Sequence, residues 1–564
     1  MMSWALQRKY RDLLDREEGY RKKIWGNVLT VCLAYPNHYR TGMSNLGFQT
    51  IYTLLNRQPS FLCERVFLPD PADMAAFEGT SAPLFSLESQ KPLAEFDIIA
   101  FSLPFENDYP HILTMLEMGM IPLLSTQRRE RDPLVMGGGI AVTLNPEPLA
   151  DFFDCFLLGE GEEIVPGFLS LFEHSRRRGL ARKELLARVQ KNIPGAYVPG
   201  CYEITYKNNR IENRRPVDSS FPEQITSGSV KDINAFVTEQ SIMTADTEFG
   251  DMFLVEVSRG CRRGCRFCAA GFVYRPARFR DCSCIGTAIT RGMDRGKKIG
   301  LMGTAVSDHP ELIPLCRSIV GQRGRVAIAS LRMDMVTGEI VRILKEGGVE
   351  TVSLAPEAGS ERLRTVIRKG ITELQILQAV ERLAEYGIVN IRLYFMVGLP
   401  SETDEDIEAI IRLVLRIKLH AAQYRKKKKH FRLITLSINQ FIPKPATPFQ
   451  WHPLTDLNIV RKRIQRIERA LSREKSIKVI HDTPKQNYLQ ALLSLGDRRL
   501  GRILLAVHEN GGNWARALKE SGIDPGFYVY RSKDLDELLP WDFIDHGVSK
   551  SFLKREYGKA LRIS

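Results

Sequence analysis

Short apolar runs alternate with amphipathic stretches along most of the chain, and this alternation predicts an α/β protein. In the first third of the sequence, four continuous apolar runs end in turn residues, as expected for parallel strands covered on both faces. The segments between them are long enough for crossover helices. Residues 27–193 are therefore predicted to form a doubly wound, flavodoxin-like parallel sheet, preceded by a charged helix over 1–26. The four runs are Asn27–Pro36, Phe96–Glu106, Asp132–Gly139 and Phe153–Glu163.

The pattern changes between residues 194 and 251. The segment "YEITYKNNRIENRRP" predicts a β-hairpin with Lys207, Asn208 and Asn209 at its tip. The Ser- and Gly-containing stretch that follows is typical of a linker. Residues 194–251 are therefore interpreted as a strap between two domains.

A second and more regular alternation begins at residue 252. Six candidate strands start near residues 252, 298, 326, 350, 390 and 433, with helical patterns between them. This order predicts a partial (βα)6 TIM-type barrel over 252–454, and such barrels carry their chemistry at the C-terminal strand ends. The remainder, 455–564, begins with the basic helix "NIVRKRIQRIERALSREK" and is predicted to be a small, mostly helical accessory domain.

Composition narrows the class of protein. The 564 residues are 44% apolar and 26% charged, which is typical of a soluble globular protein. No apolar run approaches the roughly 18 residues of a membrane span, and the charged N-terminus lacks a signal-peptide core. Ten irregularly spaced cysteines favour a reducing cytoplasmic location over a disulfide framework. The net charge of +14 permits a nucleic-acid partner, and its densest segment, Tyr424–His430, is interpreted as a solvated loop.

The segment "SRGCRRGCRFCAAGF", at the predicted end of the first barrel strand, carries the strongest chemical signal. Cys261, Cys265 and Cys268 have the spacing C-x3-C-x2-C. Thiolates bind iron–sulfur clusters, and three of them on a four-iron cluster leave one iron open to another ligand. Gly260 and Gly264 allow the loop to fold tightly and direct N–H groups at the cluster. The sequence therefore predicts three metal ligands around an open coordination position.

Two alternatives for the cysteines stay open at this stage. A zinc site would need a fourth ligand, and Cys282, Cys284 and His309 are the candidates. Cys282 and Cys284 could also begin an auxiliary cluster, although free thiols near a helix start are the favoured interpretation.

The cysteine spacing, together with the aromatic Phe267 before the last cysteine, resembles the signature of the radical S-adenosylmethionine superfamily. The resemblance covers about residues 252–448. It implies that the open iron of a [4Fe–4S] cluster binds the amino and carboxylate groups of S-adenosylmethionine. It further implies reductive cleavage to methionine and a 5′-deoxyadenosyl radical, with electrons from an external donor such as flavodoxin or ferredoxin.

The same resemblance suggests which other barrel residues contact the cofactor. "GTAVSDHP" stands where the superfamily has a Gly-Gly-Glu-like strand end, but it lacks the glutamate, so only backbone contact carries over. In "PEAGSERLR", the first glutamate, Glu357, would face the ribose or methionine, and the alternative is an N-cap or helix-dipole role for Glu357 and Ser360. The glycine of "MVGLPSET" would let backbone approach the adenine. The implied cofactor-binding residues are Phe267, Gly303, Thr304, Glu357, Ser360 and Gly398.

The N-terminal segment "VMGGGIAVTLNPEPLADFFDCFLLGEGEE" resembles the cobalamin domain of the B12-binding class of radical SAM proteins. The stretches "GMSNLG", "CRRGCRFC" and "PKPATPFQW" resemble those of a group of largely uncharacterised proteins of this class. This implies a corrinoid approached by backbone at Gly137, Gly138 and Gly139, with hydrogen bonds to Glu160 and Glu162. The class's D-x-H-x-x-G motif is absent. His38 of "PNHYRTG" is therefore interpreted as a loop residue, and the domain either binds a corrinoid without a histidine ligand or binds none.

The favoured function is a radical SAM enzyme that also binds a corrinoid and acts by methyl transfer or another radical modification on an unidentified small molecule or RNA. A methylthiotransferase is a competing hypothesis, but it needs three further N-terminal cysteines. Only Cys32, Cys63 and Cys155 precede the strap, and two of them lie in apolar runs. A non-catalytic iron–sulfur or zinc protein is the third class.

Overall fold

The computed structural model describes residues 4–424 and 431–563, so most of the basic run Tyr424–His430 lies outside the described residues. The N-terminal part is a six-stranded sheet of order β2-β1-β3-β4-β5-β6. All neighbours are parallel except β6, which runs antiparallel to β5. This confirms the predicted doubly wound sheet. The strands are β1 (Leu29–Tyr35), β2 (Phe61–Phe67), β3 (Ile98–Ser102), β4 (Leu134–Gly138), β5 (Cys155–Leu157) and β6 (Ala196–Tyr197).

Helices cover this sheet, as the continuous apolar character of its strands requires. Every residue of β1 and β2 is buried, so neither strand has a solvent face. The helices are α1 (Trp4–Leu14), α2 (Tyr39–Met43), α3 (Leu46–Arg57), α4 (Pro71–Thr80), α5 (Tyr109–Met118), α6 (Ile140–Leu144), α7 (Gly161–Arg177) and α8 (Arg182–Asn192).

The strap contains the hairpin β7 (Tyr202–Lys207) and β8 (Arg210–Pro216), followed by β9 (Ile225–Thr226). Asn208 and Asn209 both have positive φ, 50° and 61°, which is the backbone of a two-residue hairpin turn. Beyond β9, Gly228 pairs with Gly159 in an isolated parallel bridge, so the strap continues the edge of the N-terminal domain.

The second α/β part consists of two parallel four-stranded arrays, in the orders β11-β10-β12-β13 and β14-β15-β16-β17, with only β11 antiparallel. A bridge between Leu331 and Leu354 links them. The six predicted barrel strands are all present. The strands are β10 (Met252–Arg259), β11 (Arg278–Phe279), β12 (Lys298–Gly303), β13 (Val326–Ile328), β14 (Thr351–Glu357), β15 (Asn390–Val397), β16 (Leu433–Gln440) and β17 (Ile477–His481).

The barrel helices surround this array and share its apolar core. They are α9 (Ala270–Val273), α10 (Cys282–Asp294), α11 (Leu312–Gly321), α12 (Gly338–Glu346), α13 (Glu361–Val366), α14 (Glu373–Glu385), α15 (Asp404–Tyr424) and α16 (Leu457–Leu471).

The barrel pattern continues past residue 454. The helix α16 buries Val460, Ile464 and Ile467 in the barrel core, and β17 pairs parallel with β16. Both elements were predicted to belong to a helical accessory domain. The basic sequence of α16 hid its apolar stripe, which recurs every three or four residues. The first part of 455–564 is thus a seventh β/α unit.

The C-terminal region is mostly helical, as predicted, and packs against both preceding parts. It comprises α17 (Pro484–Leu495), α18 (Leu500–Glu509), α19 (Trp514–Glu520), α20 (Gly526–Val529), β18 (Ile544–Asp545) and α21 (Lys550–Leu561). Asn145 of the N-terminal domain donates to the carbonyls of Ser494 and Gly496, and β18 pairs with β9. In the described part of the chain, no helix is long and apolar enough to cross a membrane.

Candidate functional site

A cavity of about 640 Å³ lies between the N-terminal sheet and the barrel. Its walls come from the C-terminal ends of β1, β3, β4 and β5 on one side and of β10 and β12 on the other. These are the edges where doubly wound sheets and barrels place their ligands. The volume is within the usual range of small-molecule sites.

Three consecutive glycines, two at the end of β4 and one directly after it, face different surroundings. A Cβ on Gly137 would lie 3.0 Å from the Phe153 and Phe156 rings, and one on Gly139 would lie 2.6 Å from the Leu103 carbonyl oxygen. Gly139 also has a φ of +120°, which L side chains rarely adopt. Only Gly138 has room, with its nearest neighbour at 3.5 Å. The three glycines line the cavity, yet two are required by the packing of the protein itself.

Arg259, the last residue of β10, holds the barrel wall to the sheet wall. Its guanidinium contacts Glu162 and Glu256, each at 2.8 Å, and Glu160 at 3.4 Å. Burial opposes the charge, but Glu256 and Glu162 outweigh it and hold the pKa of Arg259 above its ordinary value. Arg278 adds a second contact to Glu160 at 2.5 Å.

This network bears on the role of two glutamates at the cavity wall. Glu160 and Glu162 were predicted to accept hydrogen bonds from a bound corrin, and both do line the cavity. Their carboxylates, however, are engaged by arginines, and Glu160 also accepts from the Val230 N–H at 2.7 Å. Buried carboxylates bind the nearest cations because an unpaired buried charge is costly. The two glutamates therefore act first as an interdomain tie.

The cysteine loop begins where the cavity's barrel wall ends, directly after β10. Cys265 is buried, whereas Cys261 and Cys268 are partly exposed. Backbone N–H groups point at the sulfurs: Arg263 N lies 3.5 Å from Cys261 Sγ, and Ala270 and Gly271 donate toward Cys268. Gly260 and Gly264 have φ of 80° and 68°, so the loop needs glycine at both turns. The loop thus directs backbone donors at two of its three thiols.

Burial and neighbouring groups act in opposite directions on the pKa values of two of the thiols. Burial raises the pKa of Cys265 to about 11, against the opposing effect of Lys369. Burial also raises the pKa of Cys268, against two backbone hydrogen bonds. Because the ligating form is the thiolate, binding of a metal cluster must release protons from these groups.

The surroundings of the candidate fourth ligands give little support to a zinc site. Both ring nitrogens of His309 are taken, Nε2 by the Arg280 carbonyl at 3.0 Å and Nδ1 by the Glu311 N–H at 3.1 Å. Cys282 lies at the start of α10 beside Glu311, where burial raises the pKa of its thiol to about 11. Within residues 4–424 and 431–563, no three Cys, His, Asp or Glu side chains are arranged around a single metal ion.

Glu357 and Ser360 follow β14 with different roles. Glu357 has a φ of +67°, an uncommon backbone for a glutamate, and its carboxylate pairs with Lys369 Nζ at 3.0 Å. It faces the cysteine loop closely enough to contribute to the raised pKa of Cys268. Ser360 caps α13 by accepting from the Leu363 N–H, and its hydroxyl donates to Asp406. The capping alternative holds for Ser360, and Glu357 remains beside the cysteines.

Of the other residues predicted to contact the cofactor, two line the cavity and two do not. Gly303 and Thr304 line the cavity, and a Cβ on Gly303 would lie 2.5 Å from the Ser258 hydroxyl. Phe267 packs at the edge of the N-terminal core. Gly398 has a φ of +87°, but its N–H donates to Glu402 and its carbonyl accepts from Thr455. Those bonds occupy both backbone groups that were expected to approach an adenine.

His38 lies outside the cavity lining. Its Nδ1 contacts the Leu68 carbonyl and the Asp70 carboxylate, both at 3.3 Å. This matches its interpretation as a loop histidine. Cys32, Cys63 and Cys155 are buried in the N-terminal sheet, and burial raises the pKa of each thiol, which is unfavourable for a second cluster.

Sequence reasoning missed Arg259 and Tyr274. Tyr274 follows α9 and lines the cavity, where burial raises the pKa of its phenol to about 12. No described residue makes a hydrogen bond with its hydroxyl, although Arg259 and three glutamates lie nearby. Both residues lie near the ends of the cysteine segment, and this position could have marked them as candidate site residues.

Two family profiles match the chain. "Radical SAM proteins, N-terminal" covers residues 47–199, and "Radical SAM superfamily" covers residues 255–414. The second match includes the cysteine loop and the first five predicted barrel strands.

Two relatives show how far sequence similarity extends. An uncharacterised protein of Methanocaldococcus jannaschii is 29% identical over 479 residues, which cover 85% of this chain and 91% of the relative. An uncharacterised methyltransferase of Pyrococcus horikoshii is 27% identical over 304 residues, covering 51% of this chain and 59% of the relative.

Two solved structures are also similar. The radical S-adenosylmethionine methyltransferase TsrM of Kitasatospora setae is 14% identical, with 72% of each chain covered and a TM-score of 0.47. The cobalamin-dependent S-adenosylmethionine radical enzyme OxsB is 13% identical, with 95% of this chain and 79% of that chain covered and a TM-score of 0.48.

Proposed function

The chain belongs to the radical S-adenosylmethionine superfamily, and on that premise we propose that Cys261, Cys265 and Cys268 bind one [4Fe–4S] cluster that activates S-adenosylmethionine. The observation that carries the proposal is the cysteine loop itself. It lies at a barrel strand end, beside a cavity, with N–H groups aimed at two of its sulfurs. When bound, the cluster would supply one electron for cleavage of S-adenosylmethionine to methionine and a 5′-deoxyadenosyl radical.

The chain's own residues would bind, orient and shield around this site. We expect Glu357, which pairs with Lys369 beside the cysteine loop, to accept a hydrogen bond from the ribose or the methionine amino group. Gly303 and Thr304 offer backbone groups at the cavity wall. Tyr274 offers the cavity a hydroxyl that has no hydrogen-bond partner among the described residues. The buried tie of Arg259 to both domains keeps the two walls at a fixed separation.

We further propose that the cavity binds the corrin face of a cobalamin and that the reaction is methyl transfer or a related radical modification. Support comes from the resemblance of the β4–α7 segment to B12-binding domains and from the place of the cavity against that segment. The methyltransferase among the relatives is consistent with this reaction. The burial of Cys32, Cys63 and Cys155 favours it over a methylthiotransferase, which needs a second cluster.

The cluster is tested with a Cys261→Ala, Cys265→Ala, Cys268→Ala variant reconstituted anaerobically beside the wild type. We expect about four irons and four sulfides per wild-type chain, a site-differentiated Mössbauer spectrum, and loss of both in the variant. A Cys282→Ala, Cys284→Ala variant is the matched control and should keep the full cluster. Reduced wild type should form 5′-deoxyadenosine. A complete cluster in the triple variant would refute the ligand assignment.

The corrinoid is tested by reconstitution with hydroxocobalamin followed by gel filtration and optical and EPR spectroscopy. Wild type should retain the pigment, and Gly138→Leu should retain it poorly because Gly138 lines the cavity and a leucine side chain there would take up cavity volume. His38→Ala should retain as much as wild type, without any change in nitrogen splitting of the cobalt signal. Wild type that elutes free of pigment would remove the corrinoid from the proposal and leave the cluster assignment intact.

A further inference from the structure

Cations surround the cysteine loop, and most of them have a carboxylate partner. These pairs are locally neutral, so they add little net potential at the loop. They join Lys369 to Glu357 at 3.0 Å, Arg332 to Asp334 at 3.0 Å and Arg263 to Asp308 at 2.7 Å.

Arg275 is different, because no carboxylate of the described residues lies within ion-pair distance of it. Its Nε donates to the Gly271 carbonyl at 2.6 Å, and its guanidinium lies 5.0 Å from the Phe272 ring centroid. Burial and the neighbouring Arg368 both lower its pKa, while Cys261 has the opposite effect. A half-buried guanidinium beside another guanidinium is unfavourable unless a negative charge compensates it.

Arg368 belongs to a group in which cations outnumber carboxylates. Glu556 of α21 is shared among Arg266 at 3.2 Å, Arg368 at 3.3 Å and Lys559 at 3.0 Å. One carboxylate thus faces three cations. With Arg275, this side of the loop carries an excess of positive charge that no described carboxylate balances.

This excess positive charge lies next to the middle of the cysteine loop. A Cβ added to Gly264 would lie 3.5 Å from Arg275 Nη2 and 3.6 Å from Arg368 Nη1. The two guanidiniums therefore flank the residue that directly precedes Cys265. We propose that Arg275 and Arg368 form a cationic clamp that stabilises the reduced, more negative form of a cluster on this loop and so raises its reduction potential.

This inference rests on the proposed function, since it requires the cluster. Reduction adds one electron from an external one-electron donor to the four-iron core and transfers no atom or proton. The bound cluster then carries one more negative charge, so nearby positive charge stabilises the product more than the reactant. Both arginines are positioning residues, because they act on the cluster through space and not on the substrate.

The test is an EPR-monitored redox titration of anaerobically reconstituted protein without S-adenosylmethionine. In Arg275→Gln, we expect the ratio of reduced to oxidised cluster at a fixed potential to fall about tenfold, equivalent to about 59 mV for one electron. Arg275→Lys keeps the charge and should stay within about threefold of wild type. Arg368→Gln should shift the ratio in the same direction, and the double variant further than either.

Arg262→Gln is the matched control, because Arg262 is in the same loop but exposed over the Phe279 ring. Solvent screens its charge, so its ratio should change less than about twofold. An assembled cluster with an unchanged potential in both Arg275→Gln and Arg368→Gln would overturn the clamp alone. So would an equal shift in Arg262→Gln. Wild-type protein without a four-iron cluster would overturn both this inference and the proposed function.

Discussion

The two walls of the central cavity are lined by different types of residue. The sheet wall is mostly glycine and apolar side chain, drawn from β1, β3, β4 and β5. The barrel wall ends in Arg259 and continues into a loop of thiols and cations. The sheet wall mainly provides shape, and its two buried carboxylates, Glu160 and Glu162, pair with Arg259 and Arg278 of the barrel part.

The difference shows where tolerance to substitution should lie. On the sheet wall, a substitution fails when an added atom meets backbone or core rings. On the barrel wall, a substitution fails when it leaves a buried charge without its partner. Substitutions on each wall, with matched controls, test whether the two walls differ in this way.

Arg259→Met should have the largest effect on stability. It leaves Glu160, Glu162 and Glu256 buried with fewer cations, and breaking a buried pair costs about 3–5 kcal/mol. Urea denaturation followed by circular dichroism measures the loss. Arg325→Met is the matched control, because its contact to Asp251 is exposed and 3.9 Å long, and it should change stability by less than about 1 kcal/mol. Equal losses in the two variants would show that the barrel wall does not depend on paired charge.

Gly139→Ala should have an intermediate effect through shape alone. Its φ of +120° and the Leu103 carbonyl 2.6 Å from the added Cβ predict a loss of about 2–3 kcal/mol. Gly138→Ala, one residue earlier, meets nothing closer than 3.5 Å and should stay within about 1 kcal/mol of wild type. Thermal unfolding of both variants decides the point. A harmless Gly139→Ala would mean that the sheet wall does not need its glycines for packing.

Ser360→Ala should have the smallest effect, about 1 kcal/mol, from loss of the α13 cap. Its affinity for S-adenosylmethionine, measured by equilibrium dialysis of the reconstituted protein, should match wild type. Glu357→Gln should instead bind S-adenosylmethionine about tenfold more weakly, because the carboxylate beside the cysteine loop loses its charge. If Ser360→Ala lost affinity and Glu357→Gln kept it, the assignments of these two neighbours would have to be exchanged.

The sequence predicted much of the fold because a continuous apolar run indicates a strand that is buried on both faces. Strands β1 and β3 to β5 and all six predicted barrel strands were recognised in this way. Both β2 and β17 escaped notice: "FLCERVF" places Glu64 and Arg65 inside a strand that is buried throughout. Arg65 is fully buried because Glu17 and Glu88 pair with it at 2.6 and 2.7 Å, and pairing with Glu17, far along the chain, cannot be inferred from local pattern.

Local chemistry was likewise available from the sequence alone. The spacing of Cys261, Cys265 and Cys268 and the glycines between them describe the cysteine loop, because all of its parts are contiguous in the chain. Helix capping by Ser360 was also foreseen as an alternative, since a cap depends on only three or four residues.

Only the tertiary structure decided which groups are already occupied. Glu160 pairs with Arg259 and Arg278, about a hundred residues away, and the Gly398 carbonyl accepts from Thr455. Arg275 gains its significance because no carboxylate in the described part of the chain pairs with it, while Arg368 lies beside it. A residue's type sets what it is able to bind, but burial and competition among neighbours distant in sequence determine what it does bind, because every buried charge must find a partner.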